Sequence, residues 1–181
     1  MSEQNNVNDW IEIEDHFRTA LSRDLQKDAL DYIAYIKAKG ILPNTSPPHI
    51  GNSPDGKFYS YSFLSHTRVK DGLFIVLVIE SGGRGWTICM GSSDNVLPNS
   101  EYFNRAKFPA DEKVKQFAWD HVRICQHFRT NGKECGCGNQ PGRRITLFGK
   151  EFYNNCNGNI EINNPHDETL MLAIQLTDVW R

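Results

Sequence analysis

The stretch that decides the fold is residues 57–90, which read KFYSYSFLSHTRVKDGLFIVLVIESGGRGWTICM. In its first part, large aromatic residues alternate with serines, so one face of an extended chain is apolar and the other is polar. The aromatic face consists of Tyr59, Tyr61 and Phe63. This alternation predicts a half-buried strand over residues 57–69.

Two further strands follow in the same stretch. Residues 70–72, Lys-Asp-Gly, predict a hairpin turn, and residues 73–79 are apolar at every position. Such a run predicts a strand at the centre of a sheet, covered on both faces. Residues 86–90 predict the third strand, in which Cys89 is expected to be a small buried residue. Because short turns join them, these strands are expected to pair antiparallel.

The residues around this stretch have helical periodicity. Over residues 10–39, apolar side chains recur three or four positions apart, and a second helix is expected to begin after Ser22. The loop-forming residues 42–56 are the expected boundary between an N-terminal helical arm, residues 1–42, and an α+β domain, residues 43–181. The C-terminal part predicts, in order, a helix over residues 111–125, a hairpin over 144–153, a strand near 160–162 and a helix over 168–180. The fold class predicted is therefore α+β, a mostly antiparallel sheet packed with helices and forming one compact unit.

Composition excludes several classes of protein. Of the 181 residues, 39% are hydrophobic and 23% are charged, as in folded proteins rather than disordered ones. The net charge of −2 provides no overall attraction for nucleic acid or for an acidic membrane. The polar N-terminus lacks the features of a secretory signal, and the longest apolar run is far shorter than the roughly 20 residues of a membrane span. We therefore expect a cytoplasmic protein with no membrane partner.

Four of the five cysteines lie in one part of the chain, beside glycines that allow tight turns. They are Cys125, Cys135, Cys137 and Cys156. In a reducing cytosol, clustered thiols suggest metal ligation before disulfides, and four thiolates suit tetrahedral zinc. We predict zinc as a cofactor held by these four residues, although their spacing matches no standard zinc motif. His121 is a possible additional or replacement ligand, because a helix would place it on the same face as Cys125. Two alternatives stay open: thiols without metal that fill a loop-rich core, and redox chemistry at Cys135 and Cys137.

The C-terminal part also contains a series of short motifs. They are Trp119-Asp-His121, Cys125, the run PGRRITLFGKEF at residues 141–152, Cys156 and the run NPHDETL at residues 164–170. This series resembles the C-terminal signature of a family of small uncharacterised bacterial cytosolic proteins. The resemblance implies a shared fold and a shared cysteine site, and it implies no activity.

Three weaker candidate sites remain. Arg143 and Arg144, beside a glycine-rich stretch, form a possible anion site, although a simple turn is the commoner use of such a sequence. The aromatic residues of the predicted sheet form a possible small-molecule pocket, although a packed core is the commoner use. This pocket would be lined by Tyr59, Tyr61, Phe63 and Trp86. Residues 123–150 are rich in basic residues, but the balanced total charge makes nucleic acid an unlikely partner.

The function favoured by the sequence is a zinc-stabilised binding or interaction module, whose partner is an unidentified small molecule or protein. A thiol-dependent or metal-dependent enzyme of unknown substrate is the alternative. Nucleic-acid binding through residues 123–150 is a weaker one.

Overall fold

The structure, a computed structural model, describes residues 3–44, 47–53, 56–64, 73–80, 82, 85–92, 110–124, 144–153 and 155–180. Within these ranges the chain forms four helices and nine strands. The helices are α1 (Glu3–Ala20), α2 (Arg23–Ala38), α3 (Glu112–Asp120) and α4 (Asp167–Trp180). The strands are β1 (Leu42–Pro43), β2 (His49–Ser53), β3 (Gly56–Leu64), β4 (Leu73–Glu80), β5 (Gly85–Ser92), β6 (Val122–Ile124), β7 (Arg144–Leu147), β8 (Lys150–Tyr153) and β9 (Asn155–Asn163).

Seven of these strands form one sheet in which every pairing is antiparallel. Its order is β1-β3-β4-β5-β9-β6, and β2 pairs with the same strand, β3, as β1 does. Strands β7 and β8 form a separate hairpin. The α+β class, the antiparallel meander β3-β4-β5 and the N-terminal helices are thus confirmed.

One face of the sheet forms the core together with the helices. Tyr61, Leu77, Ile88 and Ile162 lie in one row across four strands, and all are buried. Trp10 of α1 stacks on Phe63 of β3, with ring centroids 5.4 Å apart. The buried residues of α1, α2 and α4 belong to the same hydrophobic cluster as this sheet face. The predicted helical arm therefore shares one core with the sheet.

The other face of the sheet, here called the outer face, contains the alternate residues of the same strands. On β4 these are Phe74, Val76 and Val78, and all three are half-buried. The predicted central position of β4 is confirmed, because it lies between β3 and β5. The predicted cover is complete only on the helical side, where Ile75 and Ile79 are inaccessible to solvent.

Helix α3 is shorter than the periodicity predicts. It begins as expected, with the Asp111 side chain accepting a hydrogen bond of 2.8 Å from the Val114 amide. It ends at Asp120, however, so the predicted helix over residues 111–125 is wrong for residues 122–124, which form β6. The physical reason is pairing with β9: the Glu161 amide donates to the His121 carbonyl at 2.9 Å, and Val122 lies opposite Ile160.

The region expected to be a loop, residues 42–56, contains two strands, so that expectation is wrong for β1 and β2. Both pair with the side of β3 that faces away from β4, so they lie at one edge of the sheet. An edge strand gains stability from backbone hydrogen bonds to one neighbour and does not need an apolar face, so it tolerates the polar residues and prolines of this region.

The β7–β8 hairpin packs on the core through Leu147 and through the partly buried Phe148 and Phe152. Leu147 is wholly buried, and the Trp119 indole Nε1 of α3 donates to its carbonyl at 2.7 Å. The turn passes through Phe148 and Gly149, both with positive φ, 48° and 80°. A turn with two positive φ values matches the right-handed twist of a hairpin, which explains why glycine follows Phe148.

Helix α4 begins with hydrogen bonds to the backbone of His166. The His166 carbonyl accepts from the Thr169 and Leu170 amides, and the His166 amide donates to the Thr169 hydroxyl oxygen at 2.9 Å. Asn164 joins β9 to β5. Its side-chain Oδ1 accepts from the Trp86 amide at 2.7 Å, and its own amide donates to the Trp86 carbonyl at 2.8 Å.

Candidate functional site

Most of the predicted ligand set lies outside the described residues. Cys125, Cys135 and Cys137 are among the residues that the structure does not describe, and so is Arg143. Cys156 belongs to β9 and Arg144 begins β7. The geometry that bears on the cysteine site is therefore that of the backbone on either side of these residues.

Strands β6 and β9 pair at the edge of the sheet next to two of these cysteines. Val122 lies opposite Ile160, and Ile124 lies opposite Asn155. The register shifts between these two pairs, because two steps along β6 correspond to five steps along β9, so the ladder is irregular here.

His121 is held at the junction between α3 and β6. Its Nδ1 is 2.8 Å from the Phe117 carbonyl oxygen, and its ring packs on the Phe117 ring with centroids 4.3 Å apart. A carbonyl oxygen only accepts, so Nδ1 carries the proton in this hydrogen bond. In the neutral ring the lone pair is then on Nε2, which is the arrangement that metal-binding histidines use.

The predicted shared helical face of His121 and Cys125 is nevertheless wrong. Residues four apart on a helix lie about 5–6 Å apart. Here residues 122–124 are extended and Cys125 lies outside the described residues, so helical spacing does not relate the two side chains. His121 stays a predicted additional or replacement ligand. Within the described ranges, no three residues of the His, Cys, Asp and Glu types form a group that would hold a metal ion.

The four aromatic residues predicted to line a pocket are mostly core residues. Tyr61, Phe63 and Trp86 are buried against the helices, so they fill the core rather than line a cleft open to solvent. Phe17 of α1 packs on both Tyr61 and Trp86, with centroid distances of 6.0 and 6.5 Å. Only Tyr59 is half-exposed among the four.

Tyr59 belongs to a polar cluster at the junction of α1 and β3 that the sequence reasoning missed. His16 Nδ1 lies 2.5 Å from the Tyr61 hydroxyl oxygen, and the His16 ring meets the Tyr59 ring edge-on at 4.7 Å. Burial lowers the pKa of His16 below 6.5. Burial raises the pKa of Tyr61 to about 12, and the charges of Glu12 and Tyr59 add to that effect. The available signal was the position of His16 beside the apolar stripe of α1, three residues after Ile13.

Cys89 is a free, half-buried thiol on the outer face. Burial raises its pKa to about 12, and the nearby Glu161 carboxylate adds to the shift. A thiol is a nucleophile only as the thiolate, so this environment disfavours a catalytic role for Cys89.

Two basic residues of segment 123–150 are engaged within the protein. The Arg123 guanidinium pairs with Glu161 at 2.9 Å. The Lys150 ammonium lies over the Trp119 and Phe152 rings, 5.0 and 5.4 Å from their centroids. These contacts compete with the phosphate contacts that nucleic-acid binding would need.

We compared the chain with family models, curated proteins and solved structures. No match was found in any of the three. The resemblance to a bacterial family stays a prediction, since it rests on the motifs in the sequence. None of the described helices combines the length and the apolar character that crossing a membrane requires.

Proposed function

We propose that this chain is a zinc-stabilised binding or interaction module, with zinc held by four thiolates. The ligands proposed are Cys125, Cys135, Cys137 and Cys156. The module acts in the cytoplasm, and its partner is a small molecule or another protein.

The observation that supports the cysteine site is the pairing of β6 with β9. Ile124 precedes Cys125 and lies opposite Asn155, which precedes Cys156. Paired Cα atoms are about 5 Å apart, and consecutive Cα atoms along the chain are about 3.8 Å apart. One pairing and two chain steps separate the two cysteine positions, so their Cα atoms can be at most about 13 Å apart. Ile124 and Asn155, which are 31 residues apart in sequence and each precede a proposed ligand, therefore lie side by side at one edge of the sheet. The remaining two ligands, Cys135 and Cys137, flank Gly136 on the chain that connects β6 to β7.

A zinc ion at this edge of the sheet would stabilise β6. Strand β6 has only three residues and its ladder with β9 is irregular, so regular pairing with β9 is short. A structural zinc site contributes on the order of 10 kcal/mol of apparent binding free energy, which becomes folding free energy when the site does not exist in the unfolded chain. The ion would fix β6, and with it the start of the chain that leads to β7.

The interaction role is supported by the outer face of the sheet. Phe74, Val76 and Val78 form an apolar row in the middle of this face, and their side chains are half-buried. A partly exposed apolar row on a central strand is more typical of a surface that contacts other groups than of a fully solvated sheet face.

The experiment is a metal and thiol count on protein purified without added metal or chelator. We expect about one equivalent of zinc, with four cysteines protected from alkylation in the native protein. Cys156→Ser should lose the zinc, whereas the matched control Cys89→Ser, which changes a cysteine outside the ligand set, should retain it. Less than about one-fifth of an equivalent of any transition metal would overturn the proposal.

The same count separates the enzyme alternative from the structural site. A catalytic zinc keeps one position open for water, and a thiol enzyme keeps one reactive thiolate. Three protected thiols together with one rapidly alkylated thiol would favour catalysis, and four protected thiols would favour the structural site.

A further inference from the structure

The contact between α1 and the sheet includes one titratable hydrogen bond. His16 is half-buried at this interface, and its Nδ1 faces the hydroxyl of Tyr61, a residue that is only 4% exposed. The imidazole meets both the Tyr59 and Tyr61 rings edge-on, with centroid distances of 4.7 and 5.8 Å. The interface side of His16 is therefore aromatic.

We propose that His16 is an acid-sensitive contact, which holds α1 on β3 when its imidazole is neutral and weakens that attachment when the imidazole gains a proton. In the neutral state that we propose, Nε2 carries the ring proton and the Tyr61 hydroxyl donates to Nδ1. Protonation of Nδ1 places a hydrogen between Nδ1 and the Tyr61 oxygen, where the hydroxyl hydrogen already lies. The hydroxyl must therefore rotate and accept a hydrogen bond from Nδ1. The Tyr61 hydroxyl proton then loses its acceptor, while a positive charge is created against two aromatic rings on a partly desolvated side.

The charged groups around this contact determine the size of the effect. On α1 itself, Glu12 lies close enough for its charge to act on Tyr61. On β3 the titratable groups facing His16 are the phenols of Tyr59 and Tyr61. On α2, Lys37 is paired with Glu14 at 2.9 Å, and β1 contains only Leu42 and Pro43. Among the described carboxylates, Glu12 is therefore the one whose charge acts on this cluster, and it acts on the Tyr61 phenol.

The direction of the pH dependence follows from linkage. The folded state lowers the pKa of His16 below its ordinary value of 6.5, so the detached state binds more protons between these two values. The contribution of His16 is thus fully present above pH 6.5, and it is lost as the pH falls through 6.5 towards the lowered folded value.

The test is hydrogen exchange of the full chain at about pH 7.5 and about pH 5, corrected for intrinsic exchange rates, with peptides from α1 compared with peptides from β4. We expect α1 in the wild type to lose protection in acid relative to β4. His16→Gln retains a neutral acceptor at every pH, so its α1 protection should not show this acid-dependent loss.

Two results would overturn the proposal. One is an equal acid-dependent loss of α1 protection in the wild type and His16→Gln. The other is an NMR titration of the His16 ring in the wild type that gives a pKa of 6.5 or above, a measurement that does not depend on how well any variant folds.

Discussion

Replacing Thr177 with valine should destabilise the fold more than replacing Tyr32 with phenylalanine, although both changes remove the same hydrogen bond. The two side chains join α2 to α4, with 2.9 Å between their oxygens, and both are inaccessible to solvent. The Thr177 hydroxyl also lies 2.9 Å from the Ala173 carbonyl, which only accepts. Thr177 therefore donates to Ala173, and Tyr32 donates to Thr177.

The magnitudes follow from which polar group each change leaves behind. Tyr32→Phe leaves Thr177 with a satisfied donor, so the loss is that of one ordinary hydrogen bond, about 1 kcal/mol. Thr177→Val leaves the buried Tyr32 hydroxyl donor without its acceptor, at about 1–3 kcal/mol. In the double variant neither polar group remains, so the second change should restore stability. Tyr32→Phe is thus predicted to destabilise the wild type and to stabilise Thr177→Val.

The assay is urea unfolding followed by far-UV circular dichroism. It compares the free energies of unfolding of the wild type, the two single variants and the double variant, whose m-values should be equal. A difference of 1 kcal/mol corresponds to about 2–4 °C in the thermal midpoint of a domain of this size. Tyr35→Phe is the matched control, since the Tyr35 hydroxyl donates to the Ile174 carbonyl and not to Thr177. It should cost the same in both backgrounds. The reasoning is refuted if Tyr32→Phe destabilises the Thr177→Val protein as much as it destabilises the wild type.

Three further predictions concern other parts of the fold. Cys89 should react slowly with iodoacetamide in the native protein at neutral pH, because its pKa is raised to about 12. Rapid alkylation of Cys89, detected by peptide mass mapping, would contradict this. Gly85→Ala should lower the free energy of unfolding by about 1–3 kcal/mol, because the added Cβ would lie 2.7 Å from the Asn164 Oδ1. That loss should shrink in an Asn164→Gly background, and strictly additive losses would show that the clash is not the cause. Leu147→Ala should cost about 2–5 kcal/mol in thermal or urea unfolding, and a loss below about 1 kcal/mol would mean that the hairpin does not pack into the core.

The elements that sequence reasoning predicted well have a side-chain pattern that matches their burial. In α1, Trp10, Ile13 and Phe17 recur at helical spacing, and all three are buried against the sheet. In β3 the alternation of Tyr61 and Phe63 with serines corresponds directly to buried and half-buried positions. Local periodicity was sufficient there because each element buries one face.

The elements that sequence reasoning missed depend on a pairing partner that is distant in sequence. The stripe of α3 continues through His121 and Val122 without any helix-breaking residue, and pairing with β9 ends the helix there. Likewise β2 has no apolar alternation, since its stability comes from backbone bonds to β3. The polar contact between His16 and Tyr61 joins residues 45 apart, so the local pattern puts His16 beside the apolar stripe of α1 but does not indicate its partner.

The candidate site was also only partly predictable from the sequence. Residue type and clustering suggested the four thiols, but only the β6–β9 register relates the position of Cys125 to that of Cys156. The aromatic pocket residues were selected for their type alone, and type does not distinguish a packed face from an open one.

The most direct test of the central claim is the zinc-to-protein ratio of protein that has never been exposed to chelator. The account predicts about one equivalent, lost together with β6–β9 protection in Cys156→Ser and retained in Cys89→Ser. Protein that is fully folded with less than about one-fifth of an equivalent of any transition metal would contradict it.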